Sequence, residues 1–179
     1  MLSGKKIKQA IDIGAISCYP KPMEMQYQPH SIDLRLGGYL SEVVPNSPDG
    51  YIDTHKPGAV KPVKMVGDGY ILMPGTLYLG HTLEAVGSKK YAGVLHGRST
   101  AGRHGIMVHV TAGFIDAGWS GQIVLELVNV TPYPIKIYPG DRICQVEFDK
   151  IEGDVELYSS DYQGQLGIRP AKSMADAPF

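Results

Sequence analysis

The chain has 179 residues, a formal net charge of -1 and 43% hydrophobic residues, enough for one sizeable core and too apolar for a disordered segment. The near-zero charge leaves no global pull toward nucleic acid or an anionic membrane, so any polyanion must be held by a local cluster. Only Cys18 and Cys144 are present, with no CxxC, which argues against a disulfide framework and a Cys-based zinc site.

In chain order, Ser3 caps a short predicted helix with Ile7, Ala10 and Ile11 on one face, ending near Gly14. The stretch before residue 14 lacks a signal-peptide core, and no apolar run approaches membrane-span length, so a cytoplasmic setting is expected. Residues 17–28 read as a proline-rich connector. Residues 31–40 alternate Ile32, Leu34 and Leu36 against Asp33 and Arg35, a strand pattern. Residues 45–69 carry Pro45, Pro48, Pro57 and Pro62 and read as a long surface excursion with a short strand at 63–66. Beyond it the pattern is all strands, at 70–73, 76–86, 91–95, 106–111, 122–130, 135–138 and 142–148, with turns such as Pro139-Gly140-Asp141. Short strands punctuated this regularly predict a mainly β sandwich or jelly-roll barrel. Residues 1–179 read as a single domain, and the polar stretch 154–179 as a flexible tail.

The sharpest chemical feature is Glu126, inside Ile123-Val124-Leu125-Glu126-Leu127-Val128. Alternate residues face opposite sides of a strand, and here both sides are apolar, as in a strand covered on both faces. A carboxylate there costs on the order of several kcal/mol unless it is paired, hydrogen-bonded or protonated. It is either a sheet-edge Glu paired with Arg98 or Arg103, or a group kept for function; the rarity of acids in apolar strands favours function. Arg98, Ser99, Thr100 and Arg103 lie in a glycine-bounded loop, 97–105, whose forked donors, hydroxyls and exposed amides suit a polyphosphate. Asp116, in the turn Phe114-Ile115-Asp116-Ala117-Gly118-Trp119, adds a second carboxylate that alone would read as a turn former.

Three pieces, Gly97-Arg98-Ser99 with Arg103, Thr111-Ala112-Gly113-Phe114-Ile115-Asp116-Ala117-Gly118-Trp119-Ser120-Gly121, and Leu125-Glu126, together resemble the core of the dCTP deaminase family, a branch of the trimeric dUTPase fold. Gln28-Pro29-His30-Ser31-Ile32-Asp33-Leu34-Arg35-Leu36, Thr82-Leu83-Glu84 and Tyr162-Gln163-Gly164-Gln165 extend the likeness over nearly the whole chain. The resemblance implies a dUTPase-like jelly-roll barrel with a short N-terminal helix and a flexible C-terminal tail. It implies deamination of dCTP to dUTP and ammonia, with or without hydrolysis to dUMP and pyrophosphate in the same site, a step that supplies dUMP for dTTP synthesis. Glu126 would be the base, with the Ser99 hydroxyl and Ala112 carbonyl positioning the water. Arg98, Ser99 and Arg103 would neutralise the phosphates, and Thr111, Gly113, Trp119, Tyr162 and Gln165 would contact substrate. Mg²⁺ would be held through the triphosphate as a hard ion retaining waters. A homotrimer with active sites between subunits is implied, with neither nucleic acid nor membrane as partner.

A cytosine deaminase must set a water against C4 and pass a proton to the departing ammonia. The zinc solution uses HxE with PCxxC, and neither motif is present; the six histidines show no i, i+4 spacing either. No zinc is expected, and deamination would rest on a carboxylate base tuned by burial, which Glu126 fits. Asp161 stands where the family usually carries a Lys before the Tyr matching Tyr162, removing a phosphate donor unless Arg169 or Lys172 substitutes. Gly113-Phe114 resembles the bifunctional members and Trp119 the single-function ones; we lean to the bifunctional type, with Asp116 as the residue that orients the second water. The alternatives are a plain dUTPase, which has no need of an acid facing the base, and a non-catalytic nucleotide-binding regulator, which turnover would exclude.

Overall fold

The computed structural model describes residues 1–176. Its one long helix is α1 (Gly4–Asp12), whose first turn is capped by the Ser3 hydroxyl accepting from the Lys6 amide at 3.4 Å. Ile7 and Ala10 are buried, and the Leu2 amide donates to the Phe148 carbonyl at 2.7 Å, seating the helix against the barrel. Among the described residues no helix is long and apolar enough to cross a membrane.

The strands are β1 (Ser17–Tyr19), β2 (Ile32–Arg35), β3 (Ser41–Val44), β4 (Ala59–Pro62), β5 (Tyr70–Leu72), β6 (Leu77–Gly87) and β7 (Tyr91–Gly97). A single turn of helix, α2 (Ser99–Arg103), then leads to β8 (Ile106–Met107), β9 (Phe114–Ile115), β10 (Ser120–Asn129), β11 (Ile135–Ile137) and β12 (Arg142–Lys150). One six-stranded sheet runs β4-β3-β6-β10-β8, with β1 also paired to β6. A four-stranded sheet runs β2-β12-β7-β9, and β11-β5 form a ribbon of their own. Leu34, Leu36, Leu72, Leu95, Leu125, Leu127, Val146 and Phe148 belong to the one buried cluster that these sheets enclose. This is the mainly β architecture with a short N-terminal helix that the strand pattern predicts.

Several predicted boundaries need correction. The connector 17–28 contains β1 and a turn of 3-10 helix (Glu24–Gln26). The predicted strand at 31–40 stops at Arg35, because the Leu36 and Gly37 amides turn to Asp141 and to His81. The excursion's strand is 59–62 rather than 63–66, paired antiparallel with β3 at the sheet's edge, where Pro62 needs no second ladder partner. The strand expected at 106–111 ends at Met107, since the Val108 carbonyl and the Val110 amide bond instead to Glu126. The glycine-bounded loop 97–105 holds α2, and β9 is a two-residue strand that no periodicity announces.

Two fully buried acids lock the sheets together. Glu84 on β6 takes the Arg35 Nε at 2.7 Å, the Arg35 amide at 2.8 Å and the Gln26 side chain at 2.9 Å. Asp33 on β2 takes Arg98 Nε at 3.0 Å and Arg142 Nη1 at 3.1 Å. A buried acid is tolerated where forked donors meet it, and losing one partner of such a pair costs about 3–5 kcal/mol.

Candidate functional site

On β10 the odd-numbered residues from Gly121 to Asn129 are buried in the core, while Gln122, Val124, Glu126 and Val128 are half-buried on the opposite face. That corrects the expectation of a strand covered on both sides: the second apolar face borders a cavity rather than packed protein. Glu126 is therefore half-buried, and it pairs with neither Arg98 nor Arg103. Its Oε2 accepts from the Val110 amide at 2.7 Å, and its own amide donates to the Val108 carbonyl at 3.0 Å. The 108–110 segment thus fixes the carboxylate's orientation from both backbone and side chain.

The cavity holds about 830 Å³ and is walled by four separate pieces of chain. Strands β6 and β10 give Leu77, Leu79, Val124 and Glu126; the turn before β10 gives Thr111, Ala112, Phe114, Asp116 and Trp119. The β3–β4 hairpin adds Val43, Val44, Ala59 and Val60, and the C-terminal segment adds Tyr158, Tyr162, Gln165 and Arg169. An apolar box with two carboxylates, one cation and a few amide or hydroxyl groups suits a planar polar ring with an anionic appendage.

The C-terminal segment forms the roof by returning along the start of β10. The Tyr158 amide donates to Ala117, Trp119 Nε1 to the Tyr162 carbonyl and the Gly164 amide to Ser120, each at 2.8 Å. The Gln122 amide then donates to the Gln165 carbonyl at 2.9 Å, and Gln165 Nε2 to the Gln122 carbonyl at 3.0 Å. Two glycines open this track. A Cβ on Gly118, at φ +94°, would lie 2.8 Å from the Tyr158 nitrogen, and one on Gly121 would lie 2.7 Å from the Gln165 carbonyl oxygen. Farther along, the Gly58 amide donates to Ala171 and the Met174 amide to Thr54, both at 2.8 Å, so the hairpin holds the segment's far end. Gln165 is buried, and its Oε1 has no partner among the described residues, an acceptor left at the cavity wall.

The structure thus gathers Glu126, Asp116, Thr111, Ala112, Trp119, Tyr162 and Gln165 around one space. It sets Arg98 and Ser99 around another, of about 200 Å³, with Gln28, His30, Ser31, Asp33, Thr100 and Gln145. There Arg98 is already engaged, with Asp33 and, through Nη1, with the Arg142 carbonyl at 2.9 Å. Burial pushes the Asp33 carboxyl up, against the pull of Arg98 and Arg142. Arg103 is exposed at the end of α2 and lines neither cavity. Gly113 lies behind the wall: its carbonyl accepts from the Leu95 amide at 2.7 Å, and a Cβ there would sit 3.0 Å from the Leu95 oxygen and 3.6 Å from the His109 ring. His109 is half-buried with Nδ1 unpartnered among the described residues. The hairpin wall was not anticipated, because nothing local in a proline-rich excursion says which cavity it will cover.

Among the described residues no group of three or more His, Cys, Asp and Glu side chains converges on a point. The donors the cavity does offer, Asp116 and Glu126, are hard carboxylate oxygens, compatible with a Mg²⁺ that keeps its waters and arrives on a polyphosphate.

The family model described as dCTP deaminase-like matches residues 1–151. A Clostridium beijerinckii protein named dCTP deaminase, dUMP-forming, is 41% identical over 177 residues, covering 98% of this chain and 98% of the relative. A protein of the same name from Thermobifida fusca is 39% identical over 183 residues, covering 97% of this chain and 92% of the relative. Among solved structures, the 2'-deoxycytidine 5'-triphosphate deaminase of Agrobacterium tumefaciens superposes with a TM-score of 0.62 at 22% identity. That alignment covers 82% of this chain but only 47% of the Agrobacterium chain, and it speaks to the fold alone.

Proposed function

The chain belongs to the dCTP deaminase-like family, and on that premise we propose that it deaminates dCTP and carries the product on to dUMP and pyrophosphate in one site. The observation that carries this reading is the convergence of two carboxylates, Glu126 and Asp116, on one cavity roofed by the C-terminal segment. Relatives of nearly full length whose printed name is dUMP-forming support the second step over arrest at dUTP.

In this reading the cytosine lies against Glu126 with a water between them. Glu126 takes a proton from the water as its oxygen bonds to C4. The two protons of that water end on N3 and on the exocyclic nitrogen, the C4–N bond breaks and ammonia leaves. The Val110 amide holds Glu126 Oε2 in place, so the carboxylate need not reorganise as charge moves. The Ala112 carbonyl and the Ser99 hydroxyl orient the water. Arg98 and Ser99 lie on the second cavity and Arg103 at the exposed end of α2, so all three would reach the Glu126 cavity from a neighbouring copy, the arginines toward the phosphates, in a homotrimer whose sites lie between subunits. Asp116 orients a second water onto the α-phosphorus, whose bond to the pyrophosphate oxygen then breaks. Mg²⁺ carried by the triphosphate supplies charge neutralisation to that step.

A time course with dCTP tests the sequence of steps. Ammonia, dUMP and pyrophosphate should form together with little free dUTP, and Asp116→Asn should release dUTP instead. Stoichiometric dUTP from the wild-type protein would show an enzyme that stops at deamination; dUMP at an unchanged rate from Asp116→Asn would take that residue out of the second step.

A further inference from the structure

Glu126 divides the cavity into two unlike halves. On one side runs the 108–112 segment, whose Val110 amide meets Glu126 Oε2 at 2.7 Å and whose Thr111 and Ala112 line the wall. On the other side lies β6, where Leu79 stands directly across from Glu126. The same face continues over the sheet: Ser41 of β3 pairs with Leu79, and Val43, two residues on, pairs with Val60 of β4. Partners in register share a face, so Leu77, Leu79, Val43 and Val60 make one apolar floor that leads away from the carboxylate. From β10 to β4 it crosses three strand spacings, about 14 Å, farther than a pyrimidine ring set against Glu126 can reach.

The hairpin half is covered as well as floored. Pro170, Ala171 and Met174 line it from the C-terminal segment, and the hairpin holds them in place. The Gly58 amide donates to the Ala171 carbonyl and the Met174 amide to the Thr54 carbonyl, each at 2.8 Å, and the Ser173 hydroxyl donates to the His55 carbonyl at 3.0 Å. Among the described hairpin and β6 residues that line the cavity, only Thr54 carries a hydroxyl and none carries a charge. A polar group placed there would give up its hydrogen bonds to water, whereas an apolar group would lose nothing and shed its hydration.

We infer that the hairpin half of the cavity is a subsite for an apolar group on C5 of the pyrimidine, so that 5-alkyl and 5-alkynyl derivatives of dCTP are substrates alongside dCTP itself. The inference rests on the reading of the cavity as a cytosine-deaminating site. A cytosine set for attack at C4 has two different atoms beside that carbon. N3 is a hydrogen-bonding atom and is matched by the backbone of 110–112; C5 carries only hydrogen and needs no partner. With N3 turned to that backbone, C5 points over Leu79 toward Val43 and Val60. The bond changes stay at C4: water adds, the C4–N bond breaks and ammonia leaves, while the C5 substituent keeps its bond and only packs. Val43 and Val60 then set which substituents fit, from a hairpin that does not touch the carboxylate.

The test is a substrate series on the wild-type protein, with ammonia release measured for dCTP, 5-methyl-dCTP, 5-propynyl-dCTP and 5-(3-hydroxypropynyl)-dCTP. The last compound differs from the third only by a hydroxyl at its tip. The methyl and propynyl compounds should keep kcat/KM within about tenfold of dCTP, and the hydroxylated one should fall about tenfold to a hundredfold below its propynyl counterpart, the range in which an apolar pocket rejects an added hydroxyl. Val43→Phe narrows the floor and should lower the ratio of kcat/KM for 5-propynyl-dCTP to that for dCTP by about tenfold or more. A wild-type protein that deaminates dCTP but loses more than about tenfold on 5-propynyl-dCTP would overturn this inference alone. Equal handling of the propynyl and hydroxypropynyl compounds would do the same, since it would place C5 in water, as would an unmoved ratio in a Val43→Phe protein that still deaminates dCTP. No ammonia from dCTP itself would overturn the reading beneath it.

Discussion

At the scale of residues, three acids stand in apolar strands and meet two different fates. Asp33 and Glu84 are fully buried and matched by arginines; Glu126 is half-buried, held by one backbone amide and open to a cavity. In the sequence the three look alike, each an acid among alternating apolar residues, because the partner that decides the matter lies far along the chain. Arg35 meets Glu84 and Arg142 meets Asp33 only after the strands pair. Glu126 stood out in the sequence as a candidate; that its second face borders a cavity was not legible, since apolar walls and packed core give the same alternation. The cysteines illustrate burial acting on chemistry. Burial pushes the Cys18 thiol up to about 12, and pushes Cys144 up as well. A raised thiol stays protonated in the folded state where the unfolded chain ionises, so this contribution to stability is intact below about pH 8.5 and is lost as pH climbs from there toward the folded value. With burial holding both in the neutral form at pH 8, both thiols should resist a disulfide reagent for hours in the native protein and react within minutes in denaturant. Rapid stoichiometric labelling of the native protein at pH 8 would refute the burial described here.

At the scale of elements, the structure turns on the meeting of β10 with the returning C-terminal segment. Long alternating strands such as β6, β10 and β12 were readable because many residues vote for one period. β1 and β9 were not, having three and two residues, too few to show a period at all. The track of the segment did leave a trace, in the glycines of Gly118-Trp119-Ser120-Gly121, although their purpose needs the neighbour to be seen. Gly121→Ala places a methyl against the Gln165 carbonyl, which real contacts at 2.7 Å do not tolerate. The barrel should stay folded while the roof lifts, at a cost of about 1–3 kcal/mol to the docked state. Amide exchange at Gln122 and Gln165 should speed up and the KM for dCTP rise, and unchanged protection at both amides would show that the segment is not held as described.

At the scale of the whole molecule, the proposed site residues fall on two cavities, with Glu126 and Asp116 on one and Arg98 and Ser99 on the other. A trimer that brings one subunit's second cavity against the next subunit's first would complete each site. Mixed assemblies of Ser99→Ala and Glu126→Gln, each inactive alone, should then recover activity, up to about a quarter of wild type for random mixing. No recovery, or a fully active monomer in light scattering, would reject shared sites. The central claim is narrower and can be tested in one comparison: ammonia release from dCTP by wild type and by Glu126→Gln, with nucleotide binding measured alongside. The account predicts that the substitution lowers the rate by about 10²–10⁴-fold, the contribution of a positioned base, while dCTP still binds within a few-fold of wild type. Ammonia release within about tenfold of wild type would contradict it.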